Sequence, residues 1–183
     1  MRKVLILGHT KGIGKAIFDR LTSDGHSVKG LSREDGNFNM EQPNSRERVA
    51  NLLDQYDTLI ISANAGWANV EMLYRAWGKW KGRKDKTIVV MGSHITEQPR
   101  NFSNLYQIYK ISLEAGVKQL QSASPYPNLV LLRPGWVQSE MSASVEAAKM
   151  SPDSVAEVLA WTLDEETKPR DFRITNVLFE PKK

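Results

Sequence analysis

The sequence predicts an α/β fold, a doubly wound parallel sheet with helices on both faces, and three observations lead there. Short, almost uninterrupted apolar runs recur at residues 4–7, 58–62, 87–91 and 129–132, the pattern of strands buried on both faces. Between them lie stretches whose apolar residues recur at intervals of three and four, the helical period. A glycine turn, Gly8-His9-Thr10-Lys11-Gly12-Ile13-Gly14, separates the first apolar run from the first helical stretch. Strands alternating with helices build right-handed βαβ units, and those units make a parallel sheet.

Val4, Leu5, Ile6 and Leu7 form the first strand, flanked by charge and glycine. Residues 12–22 read as a helix with Ile13, Ala16, Ile17 and Leu21 on one face and Asp24-Gly25 as its stop. Residues 28–31 make a second strand. Residues 44–55 form a helix capped by Asn44 or Ser45, with Val49, Leu52 and Leu53 turned inward. The strands at 58–62 and 87–91 bracket a helix carrying Val70, Leu73, Trp77 and Trp80. A long helix over about 104–122 precedes the strand at 129–132. Pro152, after Ser151, opens a helix continuing through 155–163, and a last strand is expected near 174–178.

With 183 residues, 40% of them hydrophobic, the chain is long enough for one well-buried core and too short for two ordinary domains. Residues 1–183 are therefore read as a single domain carrying its whole site. The formal net charge of +4 is small, and the one dense basic run, 79–86, is interrupted by Trp80, Gly82 and Asp85. That run reads as a solvated loop, so no nucleic-acid partner is expected. The absence of cysteine excludes disulfides and thiolate chemistry. His9, His26 and His94 show no spacing that would make them metal ligands to one another, and no metal is expected. No apolar stretch approaches the roughly 20 residues of a membrane-spanning helix. The apolar run after the basic start is too short for a secretory leader, which places the protein in the cytoplasm, away from membranes.

The glycine turn lies where a doubly wound fold admits a dinucleotide, because glycines let backbone N–H groups and a helix N-terminus approach a pyrophosphate. Its spacing is G-x-x-x-G-x-G rather than the commoner G-x-G-x-x-G. Charge after the second strand selects the nucleotide: an acidic side chain there favours a free 2′-hydroxyl, a basic one a 2′-phosphate. Ser32 and Arg33 follow that strand, and Lys11 precedes Gly12, so the cofactor is read as NADP(H) rather than NAD(H). Glu34 and Asp35 come next and are expected to face solvent.

Tyr106 and Lys110 stand four apart, one turn along the same helical face. A phenol is a poor base at neutral pH, but a nearby ammonium stabilises its phenolate, so the pair is expected to exchange a proton with an alcohol or carbonyl. Chance also supplies this spacing on many helices. Ser93 strengthens the reading, because it follows the strand at 87–91 at its carboxyl end, where open α/β sheets hold their ligands. Its hydroxyl can donate to a substrate oxygen as charge develops there.

The order Gly8-x-x-x-Gly12-Ile13-Gly14, Asn64-Ala65-Gly66, Ser93, Tyr106-x-x-x-Lys110 and Pro134-Gly135 resembles the classical type of the short-chain dehydrogenase/reductase family, over residues 4 to about 140. The resemblance implies a Rossmann fold in which Tyr106 is the acid/base, Lys110 holds the nicotinamide ribose and tunes Tyr106, and Ser93 orients the substrate carbonyl. It implies a cofactor cleft lined by Gly8, Thr10, Lys11, Gly12, Ile13, Gly14, Ser32, Arg33, Asn64, Ala65 and Gly66. Pro134, Gly135 and Val137 would then lie by the nicotinamide.

The departures from the family pattern are equally informative. Between Leu31 and Asn44 there is no room for the usual helix and returning parallel strand, since a crossover needs about a dozen residues or more. Asn39 and Met40 fall roughly where the family contacts adenine. The helix after Gly66 is too short for the asparagine that many members use in a proton relay, and Ala63 replaces the first asparagine of Asn-Asn-Ala-Gly. His94, Trp136 and Met141 are expected around the substrate pocket, with Trp136 either walling it or packing in the core. The stripe Val70, Leu73, Trp77 and Trp80, with Trp67 nearby, suggests a homodimer or homotetramer, core packing being the simpler reading. The favoured function is an NADP(H)-dependent oxidoreductase acting on a small carbonyl or alcohol. The alternative is a catalytically weak or inactive NADP(H)-binding regulatory protein on the same fold.

Overall fold

The computed structural model describes residues 1–36, 38–98 and 104–164, and the backbone of 171–174. Six strands, β1 (Lys3–Leu7), β2 (Ser27–Leu31), β3 (Thr58–Ile61), β4 (Thr87–Met91), β5 (Asn128–Pro134) and β6 (Asp171–Ile174), form one parallel sheet in the order β2-β1-β3-β4-β5-β6. The helices α1 (Gly12–Ser23), α2 (Pro43–Leu52), α3 (Trp67–Trp80), α4 (Leu105–Ala123) and α5 (Pro152–Asp164) make the crossovers. The predicted fold class is thus the observed one.

The apolar runs are continuous because the sheet is covered twice. Side chains alternate across a strand, so Leu5 and Leu7 of β1, with Leu59, Ile61, Ile88, Val90, Leu129 and Leu131, face one helical layer. That layer is built from Val49 of α2, Met72, Leu73 and Trp80 of α3, and Leu113, Val117 and Leu120 of α4. Val4, Ile6, Ile60, Val89, Met91, Val130 and Leu132 face the other layer, made by Ile17 and Leu21 of α1 and Val155, Leu159 and Leu163 of α5. Among the described residues no helix is long and apolar enough to cross a membrane.

The missing crossover after β2 leaves β2 at the edge of the sheet. Residues 38–42 instead return toward the core, tucking Phe38 and Met40 beside Val49. Two boundaries differ from expectation here. α2 starts at Pro43 with Gln42 as its N-cap and neither Asn44 nor Ser45 capping it, because a proline's fixed φ suits the first helical position. The Ser45 hydroxyl accepts a hydrogen bond from the Asn39 N–H instead. α2 also ends at Leu52, and Leu53–Gln55 is a 3-10 turn.

β6 lies at Asp171–Ile174 rather than near 174–178. β5 runs on through Arg133 and Pro134, and its second half, from Leu131, is what pairs with β6. Residues 175–178 fall outside the described residues. The stripe on α3 also resolves toward the core: Leu73 and Trp80 are buried, and Val70 and Trp77 pack against the same cluster. The apolar side chains that α3 and α4 do expose are Trp67, Tyr74, Leu105 and Ile108.

Because β1 is buried on both faces, Leu5→Ala is expected to lower the unfolding free energy by about 2–5 kcal/mol, read from the urea midpoint at unchanged slope.

Candidate active site

Strand order reverses direction between β1 and β3, since the chain runs outward to β2 and then returns past β1. A crevice opens beyond the carboxyl ends of the strands at such a switch point. Here it is a cleft of about 1060 Å³ whose walls include the glycine turn, residues 31–34, 38–41 and 62–65, Ser93, Tyr106, Lys110 and residues 134–142.

The floor is backbone brought unusually close. Gly8, at φ +86°, leaves no space for a side chain, since a Cβ there would lie 2.6 Å from the Ala63 Cα. A Cβ on Gly14 would lie 1.8 Å from the Gly8 carbonyl oxygen. The N-cap of α1 is Lys11, which makes no side-chain capping bond, and no acidic residue occupies the first turn. The N-terminal N–H groups of α1 therefore meet the cleft with their positive dipole end unneutralised. A cradle too tight for side chains beside an uncapped helix N-terminus fits a pyrophosphate.

Around the place for a ribose phosphate the charges are arranged differently from expectation. Glu34 does not face solvent alone: its carboxylate accepts from Lys11 Nζ at 2.9 Å. The contact lifts the Lys11 ammonium above its usual range and holds the Glu34 carboxyl below its own. Asp35, itself exposed, accepts from the Ser32 N–H at 3.0 Å, while Ser32 Oγ accepts from the Glu34 N–H. Arg33 stands exposed beside this turn and makes no salt bridge among the described residues. His9 lies against Gly30 and stacks at 5.1 Å on Phe18, a packing role.

Ser93, Tyr106 and Lys110 come together at the end of β4. Asn104 caps α4 by accepting from the Tyr106 N–H, which fixes the helix start. Ser93 Oγ accepts from the Ile95 N–H at 3.3 Å and hydrogen-bonds the Tyr106 phenol. Lys110 is buried, with Nζ donating to the Met91 carbonyl at 2.6 Å and lying 5.5 Å from the centre of the Tyr106 ring. Burial pushes its ammonium down to about 8, against the pull of Glu114.

One expectation is corrected here. Lys110 does not draw the Tyr106 pKa down in this arrangement. Burial pushes the phenol up, the Ser93 hydrogen bond opposes that, and Glu114 adds to the rise. The Lys110 charge is spent on a carbonyl rather than on the phenolate.

Asn64, Ala65 and Gly66 follow β3 at the cleft, and Gly66 caps α3 at φ +53° with the Tyr109 ring against it. Asn64 approaches the Met141 sulfur, closing the cleft opposite the glycine turn. Pro134 ends β5, and Val137 bridges to Met150 so that residues 135–150 fold back over the cleft. Trp136 lines the cleft and meets His94 edge-on, the ring centres 4.8 Å apart. α3 holds one asparagine, Asn69, in its first turn, where it donates to the Ala63 carbonyl. Among the described residues no three of His, Asp and Glu gather as metal ligands would.

Several working residues were not singled out from the sequence. Arg46 is buried and donates to the Met40 and Glu41 carbonyls at 2.7 and 3.0 Å, with Glu71 as its counter-ion at 2.5 Å. It anchors the 38–41 wall. Its position three before Val49 on the inward face of α2 is the signal that was available. Gln107 donates to the Ile95 and Gln98 carbonyls. Glu114 accepts from the Ser93 N–H at 3.1 Å and lies 3.6 Å from Arg133.

No protein-family model and no curated protein matches the chain by sequence. Solved structures do match. An alcohol dehydrogenase from the archaeon Thermococcus sibiricus, complexed with 5-hydroxy-NADP, is 18% identical over 99% of each chain at a TM-score of 0.73. A 3-alpha-hydroxysteroid dehydrogenase from Pseudomonas sp. B-0831, complexed with NADH, is 17% identical over 94% of each chain at 0.73. A short chain dehydrogenase from Burkholderia cenocepacia J2315 in complex with NADP is 13% identical over 93% of this chain and 86% of that one, at 0.79. The fold of this chain is the short-chain dehydrogenase/reductase fold.

Two outcomes test the site as built. Gly14→Ala is expected to cost about 1–3 kcal/mol of stability through overpacking, seen as a lowered urea midpoint. A buried lysine whose folded pKa is depressed binds fewer protons folded than unfolded between about pH 8 and its ordinary 10.5. Its burial penalty is therefore fully present below pH 8 and fades as pH rises through that window. Lys110→Met is expected to flatten the rise in unfolding free energy over that window, the difference from wild type reading the lysine alone.

Proposed function

We propose that the chain is an NADP(H)-dependent oxidoreductase acting on a small carbonyl or alcohol, with one domain, residues 1–183, carrying cofactor and substrate sites together. The observation that carries this reading is the convergence of Ser93, Tyr106 and Lys110 at the mouth of a cleft whose other end is a glycine cradle. The bound nicotinamide would supply or accept the hydride. Gly8, Thr10, Gly12, Ile13 and Gly14 would hold the pyrophosphate, and Asn64, Ala65, Pro134, Gly135 and Val137 the nicotinamide half.

In the reductive direction Tyr106, kept protonated by burial, donates its proton to the substrate oxygen as that oxygen gains charge. Ser93 donates a second hydrogen bond to the same oxygen and so favours the charge-separated transition state over the ground state. Lys110 would hold a ribose hydroxyl of the bound dinucleotide with the same ammonium that now donates to the Met91 carbonyl. His94, Trp136 and Met141 exclude water from the reacting carbon and shape the pocket.

The preference for the phosphorylated nucleotide is supported by Arg33 and Lys11, and opposed by Glu34, whose carboxylate occupies Lys11. A 2′-phosphate would have to displace that carboxylate to reach Lys11. The apolar side chains exposed on α3 and α4 support self-association as a homodimer or homotetramer.

Purified protein is expected to oxidise NADPH with members of a ketone and aldehyde panel, and Tyr106→Phe to lower that rate by about 10²–10⁴-fold. Dinucleotide binding with no turnover over the whole panel would instead favour the regulatory alternative. Arg33→Ser is expected to weaken NADPH about 10–100-fold while leaving NADH nearly unchanged, measured by calorimetric titration. Glu34→Gln should act the other way, tightening NADPH by a few-fold because an exposed pair contributes little.

A further inference from the structure

We propose that Glu114 is a positioning residue of this site, holding the Ser93 segment against Tyr106 and supplying the counter-charge behind Lys110. The first role rests on geometry alone; the second rests also on the oxidoreductase reading above.

Tyr106, Lys110 and Glu114 follow one another at intervals of four on α4, so one helical face presents phenol, ammonium and carboxylate in line. Glu114 is only 5% exposed. A carboxylate withdrawn from water is costly, and donors and a cation meet its oxygens here, although burial still holds the Glu114 carboxyl above its ordinary range. One oxygen accepts from the Ser93 N–H at 3.1 Å, the other from the Thr96 hydroxyl at 3.1 Å, and Arg133 of β5 stands 3.6 Å away. The preceding residue gives way to it: a Cβ on Gly92 would lie 2.6 Å from the carboxylate oxygen.

The carboxylate therefore grips the segment that carries Ser93 at a backbone atom, leaving the Ser93 hydroxyl for Tyr106. Gln107, on the same helix, holds the continuation at the Ile95 and Gln98 carbonyls. Both anchors and both proton-handling side chains thus come from α4, so one helix sets the spacing of hydroxyl and phenol. The charged and titratable groups facing Glu114 are Lys110 and Tyr106 on α4, Arg133 on β5, and, beyond Arg133 at 3.9 Å, Glu97. Its negative charge favours the Lys110 ammonium and disfavours the Tyr106 phenolate.

Two variants separate the roles. Glu114→Gln keeps an oxygen for the Ser93 N–H and removes the charge; Glu114→Met keeps the volume and removes the acceptor. In alcohol oxidation the phenolate sets the rising limb of the pH profile and loss of the ammonium sets the falling limb. With Gln, both limbs of the kcat profile are expected to move to lower pH, with kcat lowered and the dinucleotide KM unchanged. With Met, the Ser93 amide is expected to exchange its hydrogen at least about tenfold faster, the loss of one hydrogen bond, while the β4 amides upstream stay protected. Limbs that stay in place with Gln overturn the counter-charge role, and unchanged Ser93 protection with Met overturns the positioning role. If Met does not fold, Glu114→Ala, which also lacks an acceptor and cannot crowd the site, carries the exchange measurement with the same two outcomes. A wild-type protein without turnover on any carbonyl removes the oxidoreductase reading and the counter-charge role with it, while the exchange measurement still decides whether Glu114 positions Ser93.

Discussion

The approach of Gly8 to the backbone of Ala63 is the constraint on which this molecule turns. β1 and β3 are neighbours in the sheet although β2 lies between them in sequence, and the loops leaving their carboxyl ends must pass each other at less than the width of a side chain. That contact closes the floor of the cleft and sets α1 with its uncapped end facing inward. It also places Asn64 and Ala65 opposite the glycine turn. The remaining walls, from β4 and β5, follow from the parallel register, since β1, β3 and β4 end within one residue of level and β5 runs two residues beyond β4.

Strand and helix identity was legible because both faces of the sheet are buried, which writes β1, β3, β4 and β5 as unbroken apolar runs. The ends were less legible. A proline's fixed φ outweighed the capping preference of Asn44 and Ser45 at α2, and the pairing of β6 with β5 continued through Arg133 and Pro134, residues that do not look like strand interior. The stripe on α3 illustrates a general ambiguity: apolar spacing reports that a face is covered and says nothing of whether the cover is the same chain or another. Here Leu73 and Trp80 are covered from within.

The meeting of Ser93, Tyr106 and Lys110 could be read from order and spacing, because the carboxyl end of a strand and one face of the following helix necessarily adjoin. Their electrostatics could not. Whether an ammonium stabilises a phenolate depends on where its Nζ points, and Lys110 points at a carbonyl. Partners distant in sequence were invisible for the same reason: Glu34 gripping Lys11, Glu71 holding Arg46 and Arg133 beside Glu114 are pairings that only the folded chain makes. Glu114 itself was half visible, one turn beyond Lys110 on the face already singled out.

The depressed basicity of Lys110 has a consequence for reactivity. An amine whose conjugate acid sits near 8 carries a free electron pair in a large share of molecules under mildly alkaline conditions, where an ordinary surface lysine carries almost none. Such an amine is, by its chemistry alone, able to form an imine with a carbonyl compound that enters the cleft. What restrains it is direction. With Nζ drawn 2.6 Å onto the Met91 carbonyl, the nitrogen is held back among backbone, away from the electrophile. The same hydrogen bond that takes the cation away from Tyr106 therefore also tethers this amine to the end of β4.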